Sequence, residues 1–281
     1  MTATTTSSAG AELKAKHRAM WAFGDYPSVA DEVIPSLGPV LVEACGVRAG
    51  HKVLDVAAGS GNAAIPAARL GADVVASDLT PELLERGKAD AEAQGVSLAW
   101  READAEALPF DDDAFDTTMS VVGVMFAPHH QESADELVRV TKPGGTIGLV
   151  SWTPEGFIGQ MFATMKPYVA PPPAGVSPPP LWGKEEHVRE LLGDRVDDVV
   201  AERRMLTVDR FGSPEEFRDF FKATYGPTIA AYKQIADQPE KVASLDTELA
   251  DLSRRAFEAS EGSDAAGTMQ WEYLLLTCRV R

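Results

Sequence analysis

Cysteine is scarce in this 281-residue chain: only Cys45 and Cys278 occur, far apart and each in apolar surroundings. A disulfide scaffold is thereby excluded, and both are expected as buried free thiols. The five histidines and two cysteines show no metal-ligand spacing, so no metal is expected. Long apolar runs are missing as well; none approaches the roughly 20 residues that a membrane span needs. Residues 1–10 lack the basic start and apolar centre of a secretory signal, and the chain reads as cytoplasmic. Positive charge is in short supply, 26 Lys and Arg against 43 Asp and Glu, which leaves a net charge of −17. A nucleic-acid binder needs a basic face to displace counterions from phosphates. The pairs Arg203–Arg204 and Arg254–Arg255 read as solvated surface rather than such a face, so a small-molecule partner is expected.

What is present is organised around Lys52–Ala64, Lys-Val-Leu-Asp-Val-Ala-Ala-Gly-Ser-Gly-Asn-Ala-Ala. The apolar residues around Asp55 predict a short strand buried on both faces, as in a parallel sheet. Ala57, Ala58, Gly59, Ser60 and Gly61 follow, then a helical run to Leu70. Such a turn brings backbone close to a ligand and presents free N–H groups at a helix start. A dinucleotide fingerprint places its Gly-x-Gly directly after the strand to grip a pyrophosphate. Here a carboxylate closes the strand; it repels a pyrophosphate and suits an ammonium or sulfonium group.

The short run Val74–Ser77 predicts a second strand, with Asp78 at its carboxyl end, near the roughly 20-residue spacing of a ribose-binding acid. Thr80 and Pro81 begin the next helix as N-cap and first residue. A third strand over Ser97–Arg101 leads to Asp104, and a fourth over Phe115–Val122 leads to a loop holding Gly123, Met125, Phe126, His129 and His130. A helix over Gln131–Val140 and the turn Lys142-Pro143-Gly144-Gly145 precede a fifth strand, Thr146–Trp152.

These segments together resemble the class I S-adenosylmethionine (SAM)-dependent methyltransferases, in particular the bacterial small-molecule branch near the quinone-biosynthesis enzymes. Asp-x-Ala-x-Gly-x-Gly is similar to that family's first motif, with Ala57 in place of its usual first Gly. The acids after the second and third strands and the Lys-Pro-Gly-Gly turn follow in the family's order, across about residues 20–152. The resemblance implies an α/β, Rossmann-like, doubly wound seven-stranded sheet whose last strand is antiparallel, with helices on both faces and a helical insertion before that strand. It also implies methyl transfer from SAM, leaving S-adenosylhomocysteine, to an O, N or C nucleophile of a small apolar or aromatic metabolite. The expected cofactor contacts are Tyr26, Asp55, Ala57, Gly59, Asn62, Asp78, Leu79, Asp104, Ala105 and Val121. A nicotinamide oxidoreductase and a non-catalytic SAM-binding protein are the competing readings.

The flanks carry the rest. Residues 1–11 are expected to be a disordered tail, and 12–50 a helical lid broken around Gly24–Pro27, with Ser28–Cys45 as its second helix. Trp21, Phe23 and Tyr26 beside that break either cover a pocket or staple the helix to the core. Residues 51–169 form the SAM-binding core, and 170–213 a Pro-rich connector that returns to it with a helix, Lys184–Leu192, and a strand, Val199–Arg210. Residues 214–262 form the helical insertion and 263–281 the last strand. His129 and His130 sit in the loop that should face the methyl group, and His130 is the preferred general base. Phe126, Trp152, Phe157, Met161, Phe162, Phe217, Phe220, Phe221 and Tyr225 are candidate acceptor contacts, with helix core as the alternative. A monomer or homodimer is expected.

Overall fold

The strands are Lys52–Val56 (β1), Asp73–Asp78 (β2), Ala99–Glu102 (β3), Phe115–Val121 (β4), Thr141–Trp152 (β5), Val196–Val208 (β6) and Met269–Val280 (β7). The helices before β3 are Ser8–Trp21 (α1), Tyr26–Glu32 (α2), Leu37–Ala44 (α3), Ala64–Arg69 (α4) and Pro81–Ala93 (α5). Those after β4 are His130–Val140 (α6), Phe157–Met165 (α7), Glu185–Leu192 (α8), Pro214–Thr224 (α9), Gly226–Gln234 (α10) and Pro239–Ser260 (α11). This computed structural model describes residues 8–261 and 267–281.

The seven strands form one sheet in the order β3-β2-β1-β4-β5-β7-β6. β7 runs antiparallel to both β5 and β6, and the other pairings are parallel. The Rossmann-like architecture expected from the sequence is therefore present. Val53, Leu54 and Val56 of β1 are buried on both faces, which is why that strand reads as a near-continuous apolar run. Strand order reverses between β1 and β4, and their carboxyl ends open the crevice in which such sheets bind ligands.

Several local expectations need correction. α1 begins at Ser8, so residues 8–11 of the expected tail are helical; residues 1–7 lie outside the described residues, as do 262–266 at the start of the last segment. The single helix over Ser28–Cys45 is two, because Pro35 disfavours helical backbone at Ile34 and separates α2 from α3. β5 starts at Thr141 rather than Thr146. The Lys142–Gly145 stretch is a bulge within it, where Phe115 faces Thr141 but Thr117 already faces Thr146. Gly144 takes a φ of +75° there, which explains a glycine at that point. The insertion contains three helices. α9 begins where Ser213 accepts the Glu216 N–H at 3.1 Å, ahead of Pro214.

Most of the aromatic residues considered for the acceptor belong to the core. Phe157 stacks on Trp271 with centroids 5.0 Å apart, and Phe217 lies 4.6 Å from Phe221. Trp152, Phe157, Met161, Phe217 and Phe221 are all buried in this cluster beneath the insertion. Helical spacing of large apolar residues marks the face that packs, and here it packs against the sheet. Cys45 and Cys278 are buried free thiols, and burial pushes each up to about 12.

Candidate functional site

The cradle after β1 is built from backbone in the left-handed region. Ala57, Gly59 and Gly61 have φ of +53°, +56° and +92°. Glycine enters that region freely, but alanine pays roughly 1–2 kcal/mol in Cβ strain. Ala57 is not alone. Val122, just past β4, has a φ of +43°, an outlier for a β-branched residue. The two strained residues sit on neighbouring strands at the switch point. They interlock there, because a Cβ on Gly123 would come within 2.2 Å of the Ala57 carbonyl oxygen. Ser120 ties the same two strand ends together, donating to the Val56 carbonyl at 2.6 Å and accepting the Val124 N–H at 2.9 Å.

Asp78 fixes the cradle from the next strand. Its Oδ2 accepts the Gly59 N–H and its Oδ1 the Thr80 N–H, both at 2.8 Å. Burial raises its carboxyl above the ordinary range, and these amide donors pull it back. Asn62, at the cradle's far end, donates to the Ile34 carbonyl at 3.1 Å and so pins the joint between α2 and α3 to it.

Two adjoining cavities open above these turns. The larger, about 710 Å³, is lined by Gly59, Asp78, Leu79, Asp104 and Ala105, with Val122, Gly123, Val124 and Phe126 on its other side. The smaller, about 300 Å³, is lined by Asp55, Ser60, Asn62 and Val121. Tyr26 and Ala57 belong to both, and the Tyr26 ring lies over Gly59. All ten residues expected from the sequence to contact a cofactor therefore line one or the other of these two neighbouring cavities.

Asp55 is the unusual member. It is 1% exposed, and neither carboxylate oxygen has a hydrogen-bond partner among the described residues. Burial pushes its carboxyl up to about 8; the nearby Ala64 amide lowers it somewhat without closing a hydrogen bond. A buried acid with no donor is costly unless a ligand supplies one.

A family profile described as a methyltransferase domain matches residues 54–149. An uncharacterized protein of Mycobacterium tuberculosis is 54% identical over 263 residues, 94% of this chain and 93% of its own. The ubiquinone/menaquinone biosynthesis C-methyltransferase of Zymomonas mobilis is 28% identical over 196 residues, 68% of this chain and 71% of that protein. A solved structure of a Bacillus subtilis protein superposes with a TM-score of 0.56 at 18% identity, over 88% of this chain and 98% of that one. The chain carries a methyltransferase domain in the fold of the class I SAM-dependent enzymes.

SAM is the cofactor of this methyltransferase, and the nicotinamide reading is set aside. The cleft fits the group: it offers a close-approach backbone turn, Asp78 ending β2, Asp104 just beyond β3, and the unpartnered buried carboxylate of Asp55 near the end of β1. His130 does not line the cleft. It is the first residue of α6, 3% exposed, and turns into the core toward α8, with its Nδ1 2.9 Å from His187 Nε2 and its ring 5.5 Å from Trp182. Burial, then the neighbouring His187, pushes it down to about 4, so it is neutral at physiological pH. The reason is the turn before it. The His129 N–H is held by Glu106 Oε1 at 2.7 Å and the His129 ring by Glu106 Oε2 at 3.0 Å, and neither imidazole lines either cavity.

The sequence reading missed Lys14 and His17, which line the larger cavity from α1 beside the anticipated Trp21, and Glu106 beneath them. A signal for the first two was available: positions 14 and 17 share one helix face with position 21. No helix among the described residues is long and apolar enough to cross a membrane.

Proposed function

We propose that this chain transfers the methyl group of SAM to a small, apolar or aromatic metabolite and releases S-adenosylhomocysteine. The observation that carries the reading is the unpartnered Asp55 carboxylate in the narrow cavity, where it would meet the cofactor's ammonium group. Ala57 and Gly59 would approach the methionine tail through backbone, beside Asn62, Val121 and Tyr26. Asp78 would accept from the ribose hydroxyls, since a carboxylate has about four acceptor sites and two already take amides. Leu79 would pack on adenine, with Asp104 and the Ala105 backbone at its edge.

Bound SAM supplies an activated methyl on a cationic sulfur, and the protein supplies alignment and a dry cleft. The acceptor side is aromatic. Trp21 lies 5.3 Å from Tyr26, 4.7 Å from Phe126 and 5.8 Å from Tyr225, centroid to centroid. Burial raises both phenols above their ordinary range, so they stay neutral hydrogen-bonding groups. Among the described residues the one imidazole lining the larger cavity is His17, and it sits beside Glu106 and His129 rather than among these rings. With no base on the acceptor side, the nucleophile must arrive with a free lone pair or already deprotonated, as an amine, an acidic phenol or an enolate carbon. Helices α9–α11 close over this side as the acceptor-binding insertion, and the net charge of −17 favours a metabolite over nucleic acid.

Incubating the protein with methyl-labelled SAM and a small-molecule extract tests the reading. Label is expected in an organic-extractable metabolite. Binding of SAM with no label transferred to any fraction would instead make the chain a SAM-binding protein without transferase activity.

A further inference from the structure

Helix α1 crosses the adenosine end of the cleft with Lys14, His17 and Trp21 on its inner face. Lys14 bonds Asp104 Oδ2 and reaches Glu106 Oε2 at 2.9 Å. The ammonium is largely covered, at 17% side-chain exposure, and the Glu106 carboxylate is wholly covered. Burial alone would lower the lysine and raise the glutamate; Asp104 and then Glu106 on the lysine, and the His129 donors and then Lys14 on the glutamate, outweigh burial and hold both charged. Outside this contact, Arg18 meets Glu102 at 2.9 Å on the exposed flank.

The other end of α1 is fastened differently. Past Gly24, whose φ is +72°, the Asp25 N–H donates to the Thr224 carbonyl at 3.1 Å, and the Met20 carbonyl lies against Gly226 of α10. That fastening is backbone and close steric fit. The Lys14 end is ionic, held by Asp104, which lines the cavity with Asp78 and Leu79.

We propose that Lys14 is a latch that sets how fast SAM and S-adenosylhomocysteine leave the cleft, with Glu106 as its fixed anchor and Asp104 as the anchor it shares with the cofactor. The proposal rests on the cofactor reading above. Asp104 already accepts the Glu106 N–H at Oδ1 and bonds Lys14 at Oδ2. An adenine amino group at this acid therefore joins or displaces Lys14, while the Glu106 contact keeps α1 in place. Exchange of cofactor for product then requires the Lys14 end to lift about the Gly24 joint. Because Trp21 rides on the same face, each opening also removes one wall of the acceptor side, so the acceptor should bind after the cofactor.

Stopped-flow dissociation of S-adenosylhomocysteine tests the latch without an acceptor. Lys14→Met should speed dissociation on the order of tenfold, the scale of charge-assisted hydrogen bonds, and Lys14→Arg should restore the wild-type rate. Wild-type dissociation should quicken with added salt, and that salt dependence should shrink in Lys14→Met, a change that a merely structural lysine would not produce. Glu106→Gln, which keeps the side chain's shape, should also dissociate faster than wild type. Normal binding with an unchanged rate and salt dependence in Lys14→Met would overturn the latch alone. Failure of the wild-type protein to bind S-adenosylhomocysteine would instead remove the cofactor reading, and the latch with it.

Discussion

Gly59 donates its backbone N–H to Asp78 Oδ2 at 2.8 Å, so the turn after β1 is held in shape by the acid that ends β2. One side chain thus serves two purposes: it orders the cradle, and it keeps acceptor sites turned toward the cleft. Asp78→Asn offers one acceptor oxygen instead of two and leaves either Gly59 or Thr80 facing an amide NH2. SAM and S-adenosylhomocysteine should each bind weaker by about 1.5–3 kcal/mol, roughly ten- to a hundredfold in Kd. Isothermal titration reads this directly, and an unaltered Kd would place the ribose elsewhere.

Asp55 makes cofactor binding pH-dependent. Its carboxyl sits up at about 8 in the fold, above its value in the unfolded chain, so the folded state holds an extra proton between the two. Its contribution to the stability of the free protein is fully present below the ordinary carboxylate range and is lost as pH rises toward 8. Binding an ammonium favours the ionised form and runs the other way. Affinity for SAM should climb about tenfold per pH unit below pH 8 and level off above it, a slope that Asp55→Asn should abolish. A flat profile in the wild-type protein would contradict the placement of the ammonium at Asp55.

The two interlocked turns at the switch point respond to substitution in opposite senses. Ala57→Gly relieves a left-handed alanine and adds freedom to the unfolded chain, for a net gain of about 0.5–1 kcal/mol in urea unfolding. Gly123→Ala puts a Cβ against the Ala57 carbonyl, backbone that can yield only by moving the cradle. That variant should lose most of its affinity for S-adenosylhomocysteine, measured by equilibrium dialysis. Retained affinity would show that the two turns are not interlocked.

His130 belongs to the interior between α6 and α8. His130→Ala should lower unfolding stability by about 1–3 kcal/mol, as loss of a buried ring does, while the Kd for S-adenosylhomocysteine stays within about twofold. A large loss of affinity with unchanged stability would return His130 to the site.

What could be read in the sequence was local. The β1 turn, the spacing to Asp78 and the acid at Asp104 lie in short segments whose periodicity and punctuation are set by near neighbours, and the sheet follows from their order. What could not be read depends on contacts across long separations. Lys14 finds Asp104 and Glu106 in the turn after β3, which nothing in α1 announces. His130 looked like an exposed loop base because the hold of Glu106 on His129 is invisible without coordinates. Phe217, Phe221 and Phe157 had the right chemistry for an apolar acceptor but share a helix or sheet face that Trp271 covers. The length of β5 was misjudged because a bulge and a turn use the same Lys-Pro-Gly-Gly residues.

The most direct measurement is calorimetric titration of the purified chain with S-adenosylhomocysteine, with SAM and with NAD. One S-adenosylhomocysteine should bind per chain, with proton release below pH 8 and competition from SAM, and NAD should give no heat. Heat from NAD with none from either sulfur nucleoside would contradict the account.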